Sequence, residues 1–170
     1  LEKLKLQVPQ NVAVDRPPPS KGDLVEVLAK KMRATIRTDR GDIVIELYGA
    51  DAPHTVASFV HLARSGFYKS LVFHRVVPDF VVQGGDPRGD GSGGADYDLR
   101  CEYNQRHYVR GSVGMAHAGK DTGSSQFFFT HSPQPHLDGR HTLFGQVVEG
   151  LEVVDAIQVG DTIRDVSIGA

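Results

Sequence analysis

The chain has 170 residues and a formal net charge of −2, and at roughly 150 residues per domain this length predicts one folded domain with a small appendage. Charged residues make up 24% of the chain and both signs are intermixed, so no basic run could neutralise a phosphate backbone and nucleic acid is not an expected partner. No apolar stretch reaches the roughly 18 residues that span a bilayer and no signal-peptide pattern opens the chain, so a membrane is not an expected partner either.

Cysteine usage gives an expectation about the compartment. Cys101 is the one cysteine in the sequence, which excludes an internal disulfide and any paired-cysteine metal or redox motif. This composition fits a reducing compartment, and we therefore expect a cytoplasmic, monomeric protein. Because the sequence begins at Leu1 rather than at a methionine, we expect a fragment or a processed form.

The first 31 residues differ in character from the rest and are predicted to be an N-terminal extension of a domain that spans residues 32–170. Residues 17–19 are consecutive prolines, which favour extended backbone, so residues 1–22 are interpreted as a linker or as a strap over the body. Asp23 then precedes apolar residues at helical spacing. This pattern predicts a short helix with Asp23 as its N-cap that ends near Lys31.

The body contains many short strand patterns and two longer helical ones. Residues 34–38 and 43–48 are predicted to be two strands of a hairpin, and a helix of about thirteen residues is predicted from Pro53 to the residue before Gly66. Further strands are predicted at residues 71–77, 80–83, 112–116, 126–130, 143–148 and 162–168, with a second helix at residues 151–159. This order indicates an all-β, mainly antiparallel barrel or sandwich rather than a parallel βαβ sheet.

The glycine-rich residues 84–94 invite three motif interpretations, and each fails. Gly89, Gly91 and Gly94 satisfy G-x-G-x-x-G, but the residues after them do not look like the helix start that a dinucleotide fingerprint requires. A calcium loop would need a bidentate glutamate where Tyr97 stands, and the spacing around Ser92 does not match a serine nucleophile. The stretch is therefore predicted to be a loop that uses glycine for positive φ.

Eight histidines raise the question of a metal site. None of them forms an H-x-H or H-E-x-x-H pattern, and the segment between His136 and His141 reads as a turn that would not present both rings on one face. We expect neither a metal nor a cofactor.

Two strand segments are difficult to explain as scaffold alone. Arg75 lies among apolar residues of a predicted strand, and because burying an unpaired cation is costly, its side chain must face solvent or a cleft. In residues 126–130, Gln126 and Phe128 share one face of the strand while Phe127 and Phe129 share the other. One phenylalanine face must belong to the core, and the other is a candidate pocket wall.

Four segments in this order and spacing together resemble one family, the cyclophilins, which are peptidyl-prolyl cis-trans isomerases. They are FHRVVPDFVVQGGD at residues 73–86, GMAHAG at 114–119, GSSQFF at 123–128 and LDGRHTLFG at 137–145. The resemblance extends from about Ala34 to Ile168. It implies a closed eight-stranded antiparallel barrel capped by two helices, and an enzyme that isomerises X–Pro bonds in peptides and folding proteins without a cofactor.

The resemblance also implies roles for particular residues. Arg75 corresponds to the catalytic arginine, and Gln83 and Gln126 correspond to the polar groups beside it. The implied proline pocket consists of Phe80, Val81, Phe128, Leu137 and His141. The strand implied to pair with the substrate backbone contains Ala116, His117 and Ala118.

Three positions depart from the family pattern. Val81 stands where methionine is common, His117 where asparagine is common, and His136 where many eukaryotic members carry tryptophan. Because an imidazole offers less apolar area than an indole, cyclosporin-like cyclic peptides are expected to bind the groove weakly.

Two other functional classes stay open from the residues alone. The same groove could serve a binding module or holdase chaperone that holds proline-containing segments and turns them over only incidentally. A hydrolase based on the Gly-Ser loop is the third, weaker class.

Overall fold

The computed structural model describes residues 17–170, so most of the linker predicted for residues 1–22 lies outside the described residues. The first helix, α1, spans Lys21–Ala29 and its N-cap is Ser20. The prediction of Asp23 as the N-cap is wrong. Asp23 is instead the third residue of the helix and closes a capping box with Ser20. Its side chain accepts from the Ser20 backbone N–H at 2.7 Å, and its own N–H donates to Ser20 Oγ at 3.3 Å.

Within the described residues, eight strands, two further α-helices and one 3-10 helix follow α1. In chain order they are β1 (Met32–Thr38), β2 (Gly41–Leu47), α2 (Pro53–Arg64), β3 (Arg75–Val77), β4 (Val81–Gly84), β5 (Ser112–Met115), β6 (Phe127–Thr130), the 3-10 helix η1 (Pro135–Leu137), β7 (Leu143–Glu149), α3 (Leu151–Ala156) and β8 (Ile163–Gly169). The predicted hairpin and both predicted body helices are confirmed. The second body helix ends earlier than predicted because Ile157 is extended and the Gln158 N–H donates to Asp161 Oδ2 at 2.8 Å.

The eight strands of the described chain form one antiparallel sheet in the order β3-β4-β6-β5-β7-β2-β1-β8. The sheet is a curled, open half-barrel, so the closed barrel implied by the resemblance is corrected. β3 and β8 are its edges, and between them lies an isolated bridge, Val72 to Thr162. Backbone hydrogen bonds join residues 70–73 to residues 160–163 across this gap. Residues 71–74 nevertheless form no strand, so the predicted strand 71–77 is shortened to Arg75–Val77 and no continuous ladder closes the sheet.

The main core contains the aromatic residues of α2 and β6. Phe59 of α2 is fully buried and lies 5.6 Å from the Phe127 ring, measured between centroids. Phe127 and Phe129 both belong to this core, whereas Phe128 belongs to a second, smaller cluster on the other side of β6. The predicted division of the two phenylalanine faces is therefore confirmed.

No helix among residues 17–170 is both long enough and apolar enough to cross a membrane.

The helix α1 is attached to the body by one buried side chain and one ion pair. Val27 is 3% exposed and packs in the main core, against the backbone at Gly49. Glu26 binds the Arg64 guanidinium of α2 through both carboxylate oxygens, at 2.8 and 3.1 Å. The pKa of Glu26 is lowered to about 2, mainly by its hydrogen bonds to Arg64 and to a smaller extent by the positive charge of Lys30.

We predict that Val27→Ala lowers the free energy of unfolding by about 2 kcal/mol, because it removes buried apolar surface and leaves a cavity. Val25→Ala on the same helix is the matched control, since Val25 is 64% exposed, and it should change stability by less than about 0.5 kcal/mol. Both substitutions raise helix propensity equally, so their difference, measured by urea unfolding, reports burial alone. Equal effects would contradict the packing of α1 on the body.

Candidate active site

Two short antiparallel strands place the predicted catalytic pair side by side. In the register of β3 and β4, Arg75 lies directly opposite Gln83, so both side chains project to the same face. Arg75 is exposed, its Nη1 donates to Gln83 Oε1 at 3.4 Å, and its guanidinium carbon lies 5.8 Å from the centroid of the Phe80 ring. The cation therefore faces a cleft, one of the two orientations that the strand pattern predicts, and it also rests against an aromatic ring.

The turn before β4 holds Phe80 at the cleft. Asp79 has a φ of 59°, and its carbonyl oxygen accepts hydrogen bonds from Ser132 Oγ at 2.9 Å and from Gln134 Nε2 at 3.0 Å. The Phe80 carbonyl accepts from the His131 N–H at 2.9 Å. These bonds fix the turn from the opposite side and so fix the position of the Phe80 ring.

The central strand β6 supplies the floor. Phe128 is 4% exposed and packs with Val81, Tyr108, Leu137 and Leu143. Its ring reaches over Gly114 of β5, where an added Cβ would collide with both the Phe128 ring and the Tyr108 hydroxyl. A residue with no side chain at position 114 is therefore needed to seat this aromatic floor.

These elements together line a pocket of about 230 Å³ that combines apolar and polar side chains. Among the described residues its lining contains nine of the sequence-predicted site residues: Arg75, Phe80, Val81, Gln83, Ala116, His117, Phe128, Leu137 and His141. His136 does not line the pocket. Its ring packs against the Phe80 ring, with 5.5 Å between the two centroids.

A second, more polar pocket of about 350 Å³ adjoins the first. Gln83, Ala116 and His117 line both pockets, and the remaining predicted residues, Ala118 and Gln126, line the second one. The Ala118 N–H donates to Thr122 Oγ1 at 3.0 Å. The cleft is thus a pair of connected pockets with Arg75 at one end and residues 91–95 at the other.

A stacked pair of imidazoles forms one wall. The centroids of His117 and His141 are 4.1 Å apart and the rings are nearly parallel, at 15°. His117 Nε2 donates to the Arg140 carbonyl at 2.9 Å while its Nδ1 accepts from the Gly119 N–H at 3.2 Å. His141 Nδ1 donates to the Met115 carbonyl at 3.2 Å.

Burial lowers the pKa of His141, and the neighbouring His117 lowers it further, which outweighs the raising effect of the hydrogen bond to Met115. The His141 ring is therefore neutral at pH 7.

Sequence reasoning missed Tyr108. Its ring is 2% exposed and stacks on Phe128 with 5.8 Å between centroids, and its hydroxyl donates to the His141 carbonyl at 3.0 Å. Burial raises the pKa of this phenol above its ordinary value. Tyr108 lies in an irregular segment with no periodicity, so no local pattern could have identified it.

Among residues 17–170, no group of three or more His, Cys, Asp and Glu side chains is arranged to hold a metal ion.

Comparison with known proteins places the chain in a family. The family model described as cyclophilin type peptidyl-prolyl cis-trans isomerase/CLD matches residues 33–168. A peptidyl-prolyl cis-trans isomerase of Helicobacter pylori is 52% identical over 145 residues, covering 83% of this chain and 89% of the relative. Peptidyl-prolyl cis-trans isomerase B of Bacillus subtilis is 52% identical over 132 residues, covering 76% and 92%.

Solved structures agree with the sequence relatives. A crystal structure of a cyclophilin type peptidyl-prolyl cis-trans isomerase of Cryptosporidium parvum has a TM-score of 0.77 and 31% identity, over 83% of this chain and 99% of that one. A second crystal structure of that isomerase, in the presence of the dipeptide Ala-Pro, has a TM-score of 0.75 and 32% identity, over 81% and 99%. Fold, site and sequence thus lead to one assignment: the chain belongs to the cyclophilin-type peptidyl-prolyl cis-trans isomerase family.

Proposed function

We propose that this peptidyl-prolyl cis-trans isomerase twists X–Pro bonds in the 230 Å³ pocket, with Arg75 as its catalytic residue. The observation that carries the proposal is the position of the Arg75 guanidinium, which lines the pocket beside its apolar residues and lies against the Phe80 ring. The pocket has the size and lining for a pyrrolidine ring, and the guanidinium is the permanent cation beside it.

The chemistry follows from the barrier. Rotation about an X–Pro bond costs roughly 18–20 kcal/mol because amide resonance is lost, and no covalent bond is made or broken. In the twisted transition state the prolyl nitrogen becomes pyramidal and its lone pair localises, while the carbonyl becomes less polar. A catalyst should therefore bind the ring, favour the less dipolar amide and donate a hydrogen bond to that nitrogen.

The pocket supplies the first two of these functions and Arg75 the third. Phe128 and Leu137 offer a dry surface to the pyrrolidine ring, and a dry surface favours the less dipolar twisted amide over the planar one. Arg75 offers fixed N–H donors, and the Gln83 oxygen orients them. About 7 kcal/mol divided among these effects would accelerate the reaction roughly 10⁵-fold.

We propose proline-containing peptides and unfolded or folding proteins as substrates. The relative from C. parvum whose structure was determined in the presence of Ala-Pro supports this class of substrate. A cytoplasmic location and a monomeric state stay predictions.

The competing function is a holdase that binds the same segments with incidental turnover, and Arg75 separates the two. We predict that Arg75→Ala lowers kcat/KM about 10²-fold, the loss typical of removing one transition-state donor, while peptide affinity changes less than about threefold. Exchange NMR on one X–Pro peptide reports binding and isomerisation in the same sample. Arg33→Ala is the matched control, since Arg33 is an exposed arginine of β1 outside the pocket. Unchanged isomerisation in Arg75→Ala would favour the holdase.

The neutral His141 ring predicts a one-sided pH dependence. In the unfolded chain histidine titrates near pH 6.5, and the folded pKa of His141 is lower, so below about pH 6.5 the unfolded state binds more protons. We predict that stability is constant above about pH 7 and falls as pH drops from about 6.5 towards the folded pKa. Isomerisation should fall over the lower part of this range, because protonation of His141 puts a second cation in the pocket that Arg75 lines. Imidazole ¹H–¹³C spectra with urea unfolding test this, and a His141 midpoint at or above 6.5 contradicts it.

The exposed His136 predicts weak binding of cyclosporin-like cyclic peptides. We predict that His136→Trp tightens cyclosporin binding about tenfold, because an indole in contact with Phe80 adds apolar area and a fixed N–H donor. His54→Trp is the control, since His54 is exposed on α2 outside both pockets of the cleft. Calorimetry that gives the same affinity for His136→Trp and the unsubstituted protein would contradict the idea.

A further inference from the structure

Asp86 is a buried acid that the proposed mechanism does not use. It is 1% exposed, lies two residues after Gly84, the last residue of β4, and lines neither pocket of the cleft. Its carboxylate accepts three backbone N–H groups of the loop that follows. Oδ1 accepts from Arg88 at 2.8 Å, and Oδ2 accepts from Asp90 at 3.0 Å and from Gly91 at 2.5 Å.

These bonds give residues 86–93 one defined shape. Gly89 and Gly91 have φ values of 73° and 92°, which let the chain curl around the carboxylate. Gly93 lies so close that an added Cβ would collide with Asp86 Oδ1. The glycine-rich loop is thus not an open tether but a ring of backbone donors closed on one buried acid.

The shape of the loop directs two carbonyl groups at Gln126. Gln126 Nε2 donates to the Gly91 carbonyl at 2.9 Å and to the Gly93 carbonyl at 2.7 Å. Because two acceptors face one end of the amide, only its NH₂ group can occupy that end. The carbonyl end, Oε1, must then point the other way, towards Gln83.

The same constraint passes to Gln83 and from there to Arg75. Gln83 Nε2 donates to Gln126 Oε1 at 2.9 Å, so the Gln83 oxygen is turned to the guanidinium, where it accepts from Arg75 Nη1 at 3.4 Å. A flip of the Gln83 amide would set its NH₂ group against the Arg75 donors, and a flip of the Gln126 amide would set its NH₂ group against that of Gln83. Among residues 17–170 no carboxylate forms an ion pair with Arg75, so the Gln83 oxygen orients its donors while the guanidinium rests against Phe80.

We propose that Asp86 is a positioning residue for the isomerisation: through the backbone of residues 88–93 and the amides of Gln126 and Gln83, it fixes the direction of the Arg75 donors. The proposal rests on the proposed function of Arg75. Asp86 touches neither the pocket nor the site where the substrate would lie, so it acts on the reaction through Arg75.

Asp86→Asn tests this with little change in volume. Asparagine keeps one acceptor oxygen but turns an NH₂ group towards at least one of the three backbone donors, so the loop carbonyls shift away from Gln126. We expect kcat to fall about tenfold, less than the roughly 10²-fold loss that a displacement of about 1 Å can cause, with KM within twofold. Asp96→Asn is the matched control. Asp96 is exposed, lies outside residues 86–93 and lines neither pocket of the cleft, so its replacement should leave kcat and KM within twofold.

The Arg75→Ala background separates positioning from general loss of structure. If Asp86 acts through the guanidinium, Asp86→Asn should lower kcat less than twofold when Arg75 is already alanine. In the Arg75-containing protein the ¹⁵N–¹H signal of Arg75 Nε should move in Asp86→Asn and stay in place in Asp96→Asn. An equal loss in both backgrounds, or a kcat that Asp86→Asn leaves within twofold, would overturn the proposal.

Two further outcomes separate a failure of the proposed function from a failure of the positioning role. If Arg75→Ala alone leaves isomerisation unchanged, the proposed function of Arg75 fails, and the positioning role fails with it. If Asp86→Asn does not fold, Gln126→Met cuts the same chain of contacts one step later without touching the buried acid. It should then reproduce the tenfold loss of kcat and the shift of the Arg75 signal, and its failure to do so would overturn the positioning role alone.

Discussion

The alternation of side chains across β6 is the constraint on which the active site depends. β6 pairs with β4 on one side and with β5 on the other, so it cannot rotate or slip without breaking two ladders. Phe127 and Phe129 are thereby held in the main core, and Phe128, between them, must face the opposite side. The floor of the pocket is thus the reverse face of the core, which makes it rigid before any substrate arrives.

The same ladder sets the polar side of the site. Gln126 shares the face of Phe128, and Gln83 lies directly opposite Phe128 in the register of β4 and β6. Arg75 is in turn opposite Gln83. Apolar floor, amide pair and guanidinium are therefore placed by one register. A slip of one residue would turn the whole set to the other face of the sheet.

This dependence explains what could and could not be predicted from the sequence. Period-two alternation and turn residues identify the strands, and the resemblance to the cyclophilins groups Arg75 with the residues that line its pocket. Closure of the barrel could not be read from the strand pattern, because residues 70–73 bond to residues 160–163 without forming a continuous ladder. Tyr108 lies in an irregular segment, where only contacts with distant parts of the chain, such as its hydroxyl to the His141 carbonyl, show its place in the site. Asp86 bonds within its own loop, and its connection to the site runs through the hydrogen bonds of Gln126 to Gly91 and Gly93.

The use of amides rather than a carboxylate beside Arg75 has a physical reason. A carboxylate at the position of the Gln83 oxygen would form an ion pair with the guanidinium and neutralise it, so that less of its field would act on the prolyl nitrogen. An amide oxygen accepts one hydrogen bond and orients the donor while leaving the positive charge in place. The negative charge that anchors the arrangement lies further away, on the buried Asp86, where three backbone N–H groups surround it. Asp86 therefore orients the Arg75 guanidinium without neutralising its positive charge.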